Sequence, residues 1–154
     1  MTARRDRTDR GAAAVEFALL LPVLFLIIGA TIDFGRFFYT QNITVNAARE
    51  GARMMALGYP VGTPATNPSA ARRVSQAMIA TPTYTATYRF IPASGSPVVN
   101  GACPTSGAQP GDHVDVTVTV DTFSFMVLDP AFKILGGSIA QPKPSGTADV
   151  RCGG

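Results

Sequence analysis

An α+β fold, a long N-terminal α-helix packed on a small and mostly antiparallel β-sheet, is predicted by three observations on the sequence. A long apolar run, Ala12 to Ile32, passes without interruption into a stretch of helical periodicity that ends near Gly58. The C-terminal part is instead dominated by β-branched and aromatic residues that alternate with polar ones. A Pro/Gly/Thr-rich stretch, from Tyr59 to Thr66, separates the two regimes. With 154 residues the chain has room for one anchor and one modest domain, since ~100 residues bury an adequate core.

The leader MTARRDRTDR sets Arg4, Arg5, Arg7 and Arg10 against Asp6 and Asp9, and the rest of the chain is close to neutral within a net charge of +3. A cationic cluster on one flank of an apolar run favours keeping that flank in the cytoplasm and exporting the chain beyond the run. No later basic patch carries interleaved aromatics, so nucleic acid is not an expected partner. The run over residues 12–32 has the ~20 residues that cross a bilayer core at ~1.5 Å per residue. A secretory signal peptide cut after Gly29-Ala30 and an uncut signal anchor are the competing readings. Against the first, the run is longer than an ordinary signal core and the helical pattern continues through the supposed cut.

Glu16 is the one acidic residue in the run. A carboxylate near the end of a hydrocarbon-spanning helix costs about 3 kcal/mol even on lenient insertion scales, so it calls for a partner or a function.

From Ile32 onward, Phe34, Phe38, Val45, Ala48, Ala52 and Met55 recur at spacings of three and four, with Gln41 as the polar exception. Arg36, Asn42, Asn46, Arg49, Glu50 and Arg53 take the other side, as in a helix half exposed to water. Gly58 before Tyr59-Pro60 supplies the stop. One helix from about Ala14 to Leu57 would be roughly 65 Å long. Its small residues Ala47, Ala48, Gly51 and Ala52 read equally as a surface for close approach or as simple helix formers.

Asn67-Pro68 reads as an N-cap with proline in the first turn of a short helix to about Ala80. Its Arg72 and Arg73 are expected on a solvated face. TYTATYRFI and HVDVTVTVD read as strands, the second with Val114, Val116, Val118 and Val120 on its buried face. In FSFMVLDPAFKILGG, Asp129 is a candidate cap, Pro130 opens a turn of helix and Gly136-Gly137 closes it. Phe123, Phe125, Met126 and Val127 suit either core or a subunit contact, and a small sheet on one helix favours core. A last strand is expected from about Ser145 to Arg151. The resulting organisation is a leader at 1–11, a transmembrane segment at 12–32, its amphipathic continuation at 33–58, and an extracytoplasmic α+β domain at 59–154.

Cys103 and Cys152 are two cysteines in a domain expected to be exported, where such residues usually pair. A metal or redox reading is poorly served, since their spacing is far from Cys-x-x-Cys and the sole histidine, His113, has only Asp112 and Asp115 near it. His113 itself reads as a turn residue that opens a strand. No catalytic constellation, phosphate-cradling loop or cofactor motif is present in the sequence. The expectation is therefore a structural component and not an enzyme, with no cofactor and no metal.

Gly11, then Glu16 and aromatic Phe17 after a gap of four residues, resembles the processing site of type IV prepilins and pseudopilins. GAAAVEFALLLPVL, with Pro22 in the run, and the later NAAREGAR are similar to TadE-like minor pseudopilins of tight-adherence (Tad, Flp) pilus systems; TadF-type and short TadG-like proteins share the anchor pattern. The resemblance implies cleavage between Gly11 and Ala12 by a membrane-embedded prepilin peptidase. It also implies pairing of the new Ala12 amine with Glu16 of an adjacent subunit, other pilins and the assembly platform as partners, and an inner-membrane location. Phe17 stands where major Flp pilins carry Tyr, which, with the added domain, points to a minor pseudopilin. The alternative of another class is a bitopic envelope protein whose periplasmic domain binds a ligand or cell-wall component without polymerising.

Overall fold

A computed structural model of the chain describes residues 5–78 and 83–153. Its elements, in order, are α1 (Arg5–Ala56), α2 (Ala70–Ala77), β1 (Tyr84–Ile91), β2 (Val98–Val99), β3 (His113–Val120), α3 (Leu128–Ile134) and β4 (Ser145–Arg151). Two compact units divide them: Met1–Arg36 with Ser124–Gln141, and Phe37–Phe123 with Pro142–Gly154.

α1 is longer than the periodicity predicts because it begins at Arg5, within the leader, and it remains helical on both sides of Pro22. Among the described residues it is one helix long and apolar enough to cross a membrane. It stops where expected. Gly58 adopts φ +78°, its N–H bonds the Met55 carbonyl at 3.0 Å, and the Tyr59 N–H bonds that of Met54 at 3.1 Å. Left-handed backbone at that position suits glycine, because a Cβ there is strained.

The second unit is built around a four-stranded sheet of order β2-β1-β3-β4 in which every pairing is antiparallel. Alternation along β3 sends Val114, Val116, Val118 and Val120 inward, each at most 1% exposed, and leaves Asp115, Thr117 and Thr119 half-buried on the opposite face. Burying each valine contributes roughly 2 kcal/mol before chain entropy is subtracted. β2 is absent from the sequence expectation because two residues carry no readable period, and it forms only through Arg89 and Phe90 of β1.

The helix side of this core is made of small residues. Ala47, Ala48 and Ala52 are fully buried, as is Met55. A Cβ added to Gly51 would come within 2.7 Å of Val74 Cγ2 on α2 and 3.2 Å of Val116 Cγ1 on β3. On β4, a Cβ at Gly146 would collide with the backbone of Thr44 and Val45. Of the two readings of the small residues, close approach is therefore the one realised here. The expected apolar face is only partly used: Phe38 is 60% exposed, and Phe34, in the other unit, is 51% exposed. Phe37 takes the inward role instead, meeting the buried Phe123 edge-on at 5.7 Å. The polar exception also acquires a purpose. Gln41 donates from Nε2 to the Ser145 carbonyl and accepts the Ser145 N–H at Oε1, imitating a strand neighbour at the start of β4.

Two capping expectations are corrected. α2 is capped by Ser69 rather than Asn67, because the Ser69 hydroxyl accepts the Arg72 N–H at 3.2 Å while donating towards the Thr63 and Thr66 carbonyls. Its expected end at Ile79 and Ala80 lies outside the described residues. Asp129 does not cap α3. It pairs instead with Lys133 one turn on, at 2.7 Å, and the flanking Val127 offers no side-chain cap. Gly136 and Gly137 do close the helix, their N–H groups bonding the Lys133 and Phe132 carbonyls. The apolar residues before α3 divide: Phe123 is core, whereas Met126 is 67% exposed.

Replacing Gly146 by valine drives a branched side chain against α1 backbone that cannot yield, and overpacking of this kind costs about 2–3 kcal/mol. The expected result, read by thermal unfolding of the detergent-extracted protein, is a melting temperature ~10 °C lower. An alanine at exposed Val99 should leave it within error.

Candidate functional site: the anchor helix and the segment it holds

Gly11, Ala12, Glu16 and Phe17 fall on successive turns near the start of α1, all exposed. No part of the described chain packs within 4 Å of a Cβ built at Gly11. Ala12 and Glu16 are four residues apart, so they share one face of the helix. Of the leader arginines, Arg4 lies outside the described residues, and Arg5, Arg7 and Arg10 fall within α1.

The strongest polar feature near the apolar run is one that sequence reasoning missed. Asp33, the residue after Ile32, is fully buried. Its Oδ1 accepts the Met126 N–H and its Oδ2 accepts those of Val127 and Leu128, all at 2.9 Å. They belong to the residue before the N-cap, to the N-cap Val127 and to Leu128, the first residue of α3, so the carboxylate grips the chain as it enters the helix. Arg36, a turn further along α1 and 45% exposed, sits 3.7 Å from Oδ1 and balances part of the charge. Beside it, Val127 occupies the space above Gly29 that any larger residue would fill, and Phe125 meets Phe34 at 6.3 Å. One carboxylate and one glycine thus fasten the segment Ser124–Gln141 to the anchor helix. Nothing local marks Asp33 for this part, because its partners lie more than ninety residues away.

In the second unit, Cys103 and Cys152 form the expected disulfide, with Cα atoms 5.6 Å apart and a sequence separation of 49. Closing a loop of that length contributes on the order of 4 kcal/mol in the chain-entropy account. Backbone bonds place the bridge. The Cys103 N–H reaches the Met55 carbonyl at the end of α1, and the Cys152 N–H reaches that of Asp112. Asp112 is itself buried and accepts the Ala93 and Gln109 N–H groups, both at 2.8 Å. Those two amides, Ala93 first, hold its carboxyl below the ordinary carboxylate range; burial opposes them, and neighbouring His113 adds to the lowering.

His113 is the first residue of β3, with Nδ1 2.9 Å from the Gly111 carbonyl and Nε2 3.5 Å from Asp149. Among the described residues no group of three or more His, Cys, Asp or Glu side chains is arranged to hold a metal ion. Arg72 and Arg73 lie on α2, Arg73 on its exposed side.

Residues 11–53 match the family model described as TadE-like protein. Neither a curated protein nor a solved structure matches the chain significantly. The matched segment contains Glu16, Phe17, Gly29, Asp33 and the small-residue face up to Ala52, and it stops short of the sheet.

The buried carboxylates lead to two expected outcomes. Asp33→Ala leaves three amides without their acceptor, a loss of about 2 kcal/mol that opens the segment ~30-fold more often. Trypsin should then cut at Lys133 correspondingly faster, with the melting of the sheet unit little changed. Asp112, with a folded pKa below its unfolded value of ~3.9, contributes stability that is complete above that value and disappears as pH falls through the folded one. Asp112→Asn should therefore lower the melting temperature at pH 7 and narrow its gap to the parent as the acid limb is descended below about pH 4.

Proposed function

We propose that the chain is a minor pseudopilin, a structural and assembly component of a Tad-type (Flp) pilus or related secretion apparatus, and a substrate of prepilin peptidase rather than an enzyme. The observation that carries this reading is Glu16, an exposed carboxylate at the start of an apolar helix able to span a membrane, five residues beyond Gly11, inside the segment that matches the TadE-like family.

The physics of the anchor supplies the mechanism. The precursor inserts with Arg4, Arg5, Arg7 and Arg10 on the cytoplasmic side and exports the residues after α1's apolar run. Cleavage between Gly11 and Ala12 frees an α-amino group one helical turn from Glu16. Gly11 helps because a residue without a side chain extends easily into a protease cleft. In lipid an unpaired carboxylate is costly, so Glu16 of one subunit gains most by meeting the Ala12 amine of its neighbour. That pairing sets axial register as each subunit is added. Pro22 loosens the helical ladder within the apolar run, which eases withdrawal of the helix from the bilayer.

Two further observations support the export and the structural role. The Cys103–Cys152 bridge suits an oxidising compartment such as the periplasm. The small-residue face of α1 is already occupied by β3, β4 and α2, so the outer half of the helix serves as a wall of its own domain.

Intact-mass analysis of the membrane-extracted protein, with and without co-expressed prepilin peptidase, tests the reading. The expected product with peptidase lacks residues 1–11, leaving 154 − 11 = 143 residues. A full-length mass in both samples rejects it and favours a non-polymerising bitopic envelope protein. Glu16→Ala should keep the disulfide and the thermal transition of the sheet unit while failing to co-purify with partner pseudopilins.

A further inference from the structure

The segment held by Asp33 carries apolar side chains that nothing in its own unit covers. Ile134 is 86% exposed, Leu135 79%, Met126 67% and Phe132 43%. Adjacent large apolar residues so fully in the open mark a contact surface.

Its level along α1 identifies the occupant. Val127 sits over Gly29, and Asp33 grips the three amides that come after Phe125. The apolar run ends at Ile32, so Gly29 lies three residues, about 4.5 Å, inside that end. Exposed Ile28, Ile32 and Phe34 of α1 occupy the same level. Interfacial segments bury their apolar faces ~5–10 Å into the boundary between headgroups and acyl chains, the depth at which this segment is fastened.

Backbone bonding meets the demand that such a location makes. A low-dielectric boundary penalises unsatisfied N–H and C=O groups. Here the N–H groups of the chain entering α3, up to its first residue Leu128, are taken by Asp33, and the last turn is closed by Leu135, Gly136 and Gly137 N–H groups on the Phe132 and Lys133 carbonyls. Asp129 and Lys133 neutralise one another at 2.7 Å, and Lys133, 66% exposed, has the length to reach a headgroup phosphate.

We propose that Met126 to Leu135 is a second membrane contact, a short hairpin that lays Met126, Phe132, Ile134 and Leu135 into the interfacial layer of the bilayer that α1 crosses. The proposal rests on the membrane-spanning reading of α1 and goes beyond it. A helix alone is free to slide along and turn about the membrane normal. A hairpin bound at its outer end fixes both depth and rotation of the anchor.

The chain contains no tryptophan, so single-tryptophan reporters can be read without background. Leu135→Trp, Ile134→Trp and Leu24→Trp variants of the full chain would be reconstituted in phosphatidylethanolamine/phosphatidylglycerol vesicles, with and without phosphatidylcholine brominated on shallow or deep acyl carbons. All three positions are exposed, so the substitutions disturb little packing. The expected result is quenching of the two hairpin reporters to roughly half by shallow bromines, with little from deep ones, and preferential deep quenching of Leu24→Trp. Quenching of Leu135→Trp and Ile134→Trp by aqueous iodide but not by brominated lipid, with Leu24→Trp still quenched from the lipid, overturns the hairpin and leaves the anchor standing. Shielding of both hairpin reporters from iodide and bromine alike assigns the surface to a protein partner or a second copy, and also overturns it. An unquenched Leu24→Trp removes the anchor and the hairpin together.

Discussion

α1, helical from Arg5 to Ala56 with Pro22 inside it, has to serve two purposes along its length, an apolar run long enough to cross a membrane and then the wall of a protein core, and each unit is built on its own part of that helix. In hydrocarbon a helix is acceptable because its backbone groups are paired internally, and side chains there need only be apolar. Further along, the same helix becomes the wall of a protein core, where fit matters more than polarity. The sequence changes accordingly, from Leu, Phe and Ile over the apolar run to Ala47, Ala48, Gly51 and Ala52. Large side chains suffice over the run, where most of them are exposed; small ones are required where β3, β4 and α2 come within van der Waals distance.

The changeover falls at Asp33, and its placement has a physical logic. A carboxylate inside the run would be penalised by lipid, and one in open water would gain little from binding amides. Just past Ile32 it is close enough to the apolar zone to be shielded, and it finds three N–H groups and Arg36 to compensate its burial. Glu16 stands near the opposite end of the run, on an exposed face of the helix. The two acids differ in their surroundings: Asp33 is buried and bonded within its own chain, whereas Glu16 is exposed.

Periodicity makes the large features of the fold legible. β3 and β4 lie where alternation puts them, β1 begins one residue later, and α1 ends beside a glycine suited to left-handed backbone. The disulfide is legible from the cysteine count and the expectation of export. The features that escape are long-range in origin. An acceptor supplied from ninety residues away leaves no local trace, so a local reading looks to Asp129 and passes over Asp33, which holds the backbone leading into α3. Gln41 looks like a flaw in an apolar stripe because its partner, Ser145, is 104 residues distant. Phe38 fits the stripe, yet the approach of β4 through Gly146 selects the face that carries Thr44 and Ala48. Side-chain period says which residues can share a face, and only the partner decides which face is used.

The division of the chain between a TadE-like segment and its β-rich remainder has a mechanical meaning as well. The matched residues 11–53 hold the anchor, the Asp33 clasp and the surface on which the sheet is laid. A β-domain can change its loops and its solvent face freely so long as two requirements persist: a glycine or similarly small residue where β4 crosses α1, and backbone donors presented to Asp33. Neither requirement leaves a long sequence signature, since the first needs one residue and the second needs only main chain. Within this chain the helix thus seats the β-rich remainder through one small residue on β4 and holds the segment before α3 through main-chain donors alone.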